Sequence, residues 1–146
     1  MNFEHVSKLM AAFSRDVDEA MGYYHEDCDF ADHPLEQYIA RDKAMLRRAF
    51  VPFANKDPNN GMGVHTFEAL EYLGDENAGL LQWRWTADNC GSIFGLPNPE
   101  AKRVSTNGMS YYQFCDGKII REVVHSNQVK ILKQLGYPVE IIHFWE

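Results

Sequence analysis

VSTNGMSYYQFCDGKIIREVVHSNQ, residues 104–128, decides the fold. Asp116–Gly117 sits at its middle, and Asp-Gly tolerates the positive φ of a tight hairpin turn. The flanking runs, 104–114 and 119–128, are rich in the β-branched and aromatic residues that suit a pleated strand. A strand–turn–strand unit is therefore predicted. Alternate side chains of a strand share a face, so Arg121, Val123, His125 and Asn127 are expected to line up. That face is polar enough for chemistry and supplies the first site candidates.

Working upstream, LLQWRWTA puts Leu81, Trp83, Trp85 and Ala87 on one face and Gln82, Arg84 and Thr86 on the other. This is a third long strand. VHTFEALEYL before it alternates loosely, and GDEN at 74–77 is a turn signal. Residues 89–103 read as a Gly/Pro-rich loop. Nearer the N-terminus the period changes from two to between three and four. Phe3, Val6, Met10, Phe13, Val17, Met21 and Tyr24 form one apolar stripe, which predicts a helix over 3–24. A second helix is predicted over about 40–51, closed by Pro52. DCDFADHP at 27–34 reads as a short strand or extended loop, and 128–136 as a short helix stopped by Gly136. Helices first and hairpin-linked strands afterwards give the α+β class. Long twisted strands curling around a helix make a cone whose mouth suits a ligand.

The bulk numbers narrow the classes. A chain of 146 residues allows one domain with one core, read as 1–146, with 137–146 an apolar tail packing on the domain or on a partner subunit. A formal net charge of −7 with scattered positive charge argues against nucleic acid. No apolar run is long enough for a membrane span, and the start, MNFEHVSKLM, lacks the pattern of a secretory signal. A cytoplasmic protein is expected. Cys28, Cys90 and Cys115 form neither a metal-ligand pair nor a disulfide framework, and the six histidines show no ligand spacing, so no metal is expected.

Taken in order, several segments resemble the SnoaL-like polyketide cyclase family, within the larger group shaped like nuclear transport factor two and ketosteroid isomerase. They are Trp83-x-Trp85-Thr86, Phe94-Gly95-Leu96-Pro97, Lys102-Arg103-Val104, Gly108, Asp116-Gly117-Lys118-Ile119 and Leu132-Lys133-Gln134-Leu135-Gly136. The resemblance implies a cone-shaped barrel of curved antiparallel sheet wrapped around helices, a deep apolar cavity and a homodimer. It also implies cofactor-free ring closure by proton removal next to a carbonyl. The family's acid/base aspartate lies on the last strand, eight residues before the leucine of the Q-L-G ending, and here that position is Asn127.

An amide has no accessible proton equilibrium. One reading therefore gives the acid/base role to His125, two residues earlier on the same face, and leaves Asn127 to orient a substrate oxygen. Asp32 is an auxiliary acid or base, and it and His33 point to opposite sides if extended. Trp83 and Trp85 form the cavity wall; His33, Tyr24, Tyr112 and Arg121 complete the candidate substrate contacts. The plainer readings stay beside these: His125 and Asn127 cap a strand end, Asp32 bonds local amides in a turn, and the tryptophans fill the core. The expected function is proton transfer on a carbonyl-bearing apolar molecule, by a cyclase, isomerase or hydratase. The alternative is a noncatalytic ligand-binding module that has lost the aspartate.

Overall fold

The structure, a computed structural model, describes residues 1–146. Its elements run α1 (Phe3–Arg15), α2 (Val17–Met21), β1 (Tyr24–Asp32), β2 (Gln37–Ala40), α3 (Lys43–Phe50), β3 (Met62–Gly74), β4 (Ala78–Cys90), β5 (Ser92–Ile93), β6 (Leu96–Pro97), β7 (Val104–Cys115), β8 (Lys118–Ser126) and α4 (Gln128–Gln134). None of the helices is long and apolar enough to cross a membrane.

The single helix predicted over 3–24 is two helices. Asp16 leaves helical geometry at φ −157° and ψ 114°, and its carboxylate accepts from the amides of Asp18 and Glu19 to start α2. A side chain that satisfies otherwise orphaned amides makes a break cheap. The predicted stripe continues across the break: Val6, Met10, Phe13, Met21 and Tyr24 are buried, joined by Leu9 and Ala20, while Val17 is half-buried and Phe3 exposed. Arg47 of α3 then clasps Asp18 of α2, Nε to Oδ1 at 2.7 Å. After α3 a single 3-10 turn, Val51–Ala54, carries Pro52 and Phe53 towards β3.

Six strands form one curved sheet in the order β2-β1-β8-β7-β4-β3. β2 and β3 are free edges, so the expected cone is an open, curled sheet and not a closed barrel. All neighbours are antiparallel except β1 and β8, which run parallel. α1 lies across the inner side of β3. The inner face carries Leu81, Trp83, Trp85 and Ala87 from β4 and Val104, Thr106, Ser110 and Tyr112 from β7, all buried. Gly108 sits under Trp83: a Cβ there would lie 2.4 Å from the indole ring, so only glycine lets the ring rest on the strand.

β8 sets the site. Gln113 pairs with Arg121 but Phe114 pairs with Ile119, which leaves Ile120 as the extra residue of a bulge. Ile119 and Glu122 consequently both point inward, followed by Val124 and Ser126. The predicted polar face of Arg121, Val123 and His125 is the outer one.

The end of the tail stands in solvent. Ile142, Phe144 and Trp145 are 81%, 93% and 71% exposed. Phe144 and Trp145 stack only with each other and with His143.

Candidate functional site

Between the helices and the inner sheet lies a cavity of about 300 Å³. On its helix side Phe13 meets Phe50 at 5.0 Å, and Phe53 of the 3-10 turn meets Phe67 of β3 at 5.2 Å, centroid to centroid. Its sheet side is Trp83 and Trp85. Two carboxyl groups face it, Asp32 from the end of β1 and Glu122 from β8, and no lysine or arginine does. The pair comes together because β1 and β8 run parallel with Phe30 opposite Glu122 and Asp32 opposite Val124. The two acids are thus diagonal neighbours on one face.

Glu122 is the group that sequence reasoning missed. It is 5% exposed, and Tyr24 donates to its Oε1 at 2.6 Å. Burial pushes its carboxyl up to about 7; the Tyr24 and Ser110 hydroxyls oppose the shift, and the charge of Asp32 adds to it. Ser110 is fixed in turn by the Trp83 indole, which donates to its Oγ at 3.0 Å. Asp32 also lies above the ordinary carboxylate range, chiefly through burial. The Leu35 amide, donating to its Oδ1 at 3.2 Å, holds it back, with His125 and His33 acting the same way. Two acids in different surroundings thus face one cavity, both raised by burial.

A third titratable side chain lines the cavity, and it is already occupied. His65 Nδ1 accepts from the Trp85 indole at 3.1 Å, so Nε2 carries the proton and faces the Met62 carbonyl at 3.0 Å. Burial lowers its affinity for a further proton. His65 is a neutral bracket for Trp85, with no free nitrogen for a substrate.

The remaining candidates fall into three places. Trp83, Trp85 and Asp32 line the cavity. Tyr24 and Tyr112 are fully buried behind it: Tyr24 holds Glu122, and the Tyr112 hydroxyl has no hydrogen-bond partner. His33, Arg121, His125 and Asn127 are outside. His125 is exposed and stacks on His33 at 5.3 Å. Arg121 lies 6.0 Å from the centre of the Tyr111 ring. Asn127 is the N-cap of α4, its Oδ1 accepting from the Lys130 amide at 3.1 Å. The expected convergence of His125 and Asn127 in the hollow is thus corrected. Strand parity sends His125 to the opposite face from Glu122, and the chain leaves the strand before Asn127.

The SnoaL-like domain family matches residues 6–122, most of the chain. The chain belongs to that family. Solved structures repeat the fold at low identity. TsrD from Streptomyces laurentii aligns with a TM-score of 0.72 at 15% identity, over 93% of this chain and 98% of its own. A protein from Jannaschia sp. CCS1 described as a SnoaL-like polyketide cyclase gives 0.68 at 16%, over 93% and 92%. AclR from Streptomyces galilaeus gives 0.66 at 20%, over 92% and 83%. No curated protein matches the sequence.

Proposed function

We propose that this SnoaL-like chain is a cofactor-free enzyme that moves protons on an uncharged, carbonyl-bearing apolar molecule. The observation that carries the reading is Glu122, a buried carboxyl held at about 7 inside an aromatic cavity. General acids and bases work best when their pKa lies near the operating pH. Asp32 is the base that takes a proton from the carbon next to the carbonyl. Glu122, still protonated, donates to the carbonyl oxygen as negative charge develops there. Tyr24 occupies Oε1, which leaves Oε2 to carry that proton. The enol so formed can attack an electrophilic carbon within the molecule, be reprotonated at another carbon, or expel a β-hydroxyl as water in the reverse of hydration, which covers cyclase, isomerase and hydratase chemistry. A wall without lysine or arginine disfavours anions, so an uncharged substrate fits best. Asn127 in place of an aspartate does not count against catalysis on this reading, because it serves a helix end.

The test needs no known substrate. The protein is incubated in heavy water with simple cyclic and aryl ketones, and deuterium entry next to the carbonyl is followed by NMR. Wild type is expected to accelerate exchange, with Asp32→Asn slower by about 10²–10⁴-fold. Equal exchange by wild type, Asp32→Asn and buffer would leave a ligand-binding domain without this chemistry.

A further inference from the structure

After β4 the chain closes its smallest hairpin, with Ser92 opposite Pro97 and Ile93 opposite Leu96. The turn is Phe94–Gly95, with φ of +50° and +83°. Tight hairpins of this kind want Asn or Gly at the first position. A bulky side chain in left-handed geometry is strained by its Cβ against the following carbonyl. Of the non-glycine residues at positive φ, Phe94 alone is large and apolar. Such strain persists where the surroundings dictate it.

The hairpin's base supplies the constraint. Asn98, 2% exposed, donates from Nδ2 to the carbonyls of Cys90 and Lys102 at 2.9 and 3.0 Å and accepts from the Lys102 amide at 3.1 Å. Its own amide bonds the Gly91 carbonyl at 2.9 Å. The tip therefore projects from a clamped base. There the Phe94 ring stacks on Trp85 at 5.6 Å and 30°, and Trp85 stacks on His65 at 5.8 Å and 28°. Phe94 lines the cavity while remaining 45% exposed, so its ring stands half inside and half in water.

We propose that Phe94 is the size filter of the cavity: a fixed aromatic post at the entrance that sets the width of ring system admitted. The clamp on its base makes it a static filter and not a swinging lid. The proposal shares with the proposed function the premise that ligands occupy this cavity, but it requires no proton transfer.

Three ketones whose ring systems widen across the acetyl axis, acetophenone, 1-acetylnaphthalene and 9-acetylanthracene, serve as probes, with binding read by quenching of tryptophan fluorescence and confirmed by calorimetry. Phe94→Asn removes the ring while suiting the left-handed turn. It is expected to fold with a melting temperature at or above wild type, and to raise the affinity for the widest ketone relative to the narrowest by about tenfold. Phe94→Gly is expected to do the same, and Phe94→Trp to lower that ratio. A ratio unchanged within about twofold in the folded Asn and Gly variants overturns the filter. So does failure of wild type to bind any of the three. If Asp32→Asn abolishes exchange while Phe94→Asn leaves the size ratio alone, the proposed chemistry stands and the filter falls. The opposite pattern spares the filter and removes the chemistry.

Discussion

The two faces of β8 each set a valine between polar side chains and meet opposite fates. The inner face reads Glu122, Val124, Ser126; the outer reads Arg121, Val123, His125. Each has one ionisable residue of catalytic type. On the inner face the carboxyl is stripped of water, gripped by Tyr24 and pushed up to about 7. On the outer face the imidazole sits in solvent against His33. Chemical type does not separate them; enclosure does. The most forceful way to break this contrast is to remove one acid or base at a time. Asp32→Asn is expected to cost about 10²–10⁴-fold in ketone exchange, and Glu122→Leu about 10²–10³-fold through loss of the donor at the developing oxyanion. His125→Gln should change the rate by less than about twofold, because an exposed group off the cavity contributes little to a dry site. A large loss in His125→Gln with Glu122→Leu near wild type would invert the assignment of the faces.

Acidity offers a second, smaller lever. Glu122 is protonated more readily in the folded chain than in the unfolded one, where its carboxyl returns to the ordinary range near 4.5. Between 4.5 and about 7 the folded state therefore binds more protons, and the contribution of this group to stability falls as pH rises through that window. The full swing is on the order of 3 kcal/mol, since each unit is worth about 1.4. Raised Asp32 acts with the same sign. Glu122→Gln should flatten this part of the profile in urea melts recorded from pH 4 to 8, and be more stable than wild type at pH 8. The amide still donates, so the variant should also keep part of its exchange activity and lose the fall in rate that wild type shows as pH rises past 7. A wild-type slope equal to that of Glu122→Gln would mean that the carboxyl is not desolvated.

Tyr24→Phe sharpens the same point with a subtler change. The Tyr24 hydroxyl stabilises the ionised form of Glu122, so its loss should move the alkaline limb of the rate profile upward. The sign is diagnostic: a downward move would mean that the hydroxyl acts on the protonated form.

How much of this could be read from the chain differs element by element. The Asp116–Gly117 hairpin and the alternation of Trp83 and Trp85 were legible, because period two and a turn dipeptide are local signals. The break at Asp16 was not: the apolar stripe runs through it, and only the cap geometry divides the helix. The parallel pairing of β1 with β8, which brings Asp32 beside Glu122, joins residues about ninety apart and leaves no local trace. The inward turn of β8 was hidden by the Ile119–Ile120 pair, where a bulge looks like an ordinary apolar run. One signal was available. Beside Arg121, Glu122 is otherwise flanked by Ile119, Ile120, Val123 and Val124, and an acid in such a β-branched run is either a solvent-facing member of a half-buried strand or a buried functional carboxyl. Histidine drew attention because it titrates near neutrality unaided, whereas a glutamate reaches that range only through burial, which the sequence does not display.

The smallest expected effect tests the outer region at its most suggestive position. Asn127 stands where the family resemblance places an acid/base aspartate, yet its carbonyl oxygen is spent on the Lys130 amide at the start of α4. Replacing a capping asparagine by alanine costs about 1 kcal/mol. For a chain of this size that lowers the melting temperature by roughly 2–4 °C. Ketone exchange should remain within about twofold of wild type, since α4 meets the cavity through Gln128 and Ile131 and not through its cap. Asn127→Asp is the sharper partner. An aspartate caps as well as an asparagine and complements the positive end of the helix, so stability should be kept and activity left alone. If Asn127→Asp instead raised exchange by an order of magnitude or more, the carboxylate at that position would be reaching substrate. The division between a working inner face and a merely structural outer end would then be wrong at the point where it departs furthest from the family pattern.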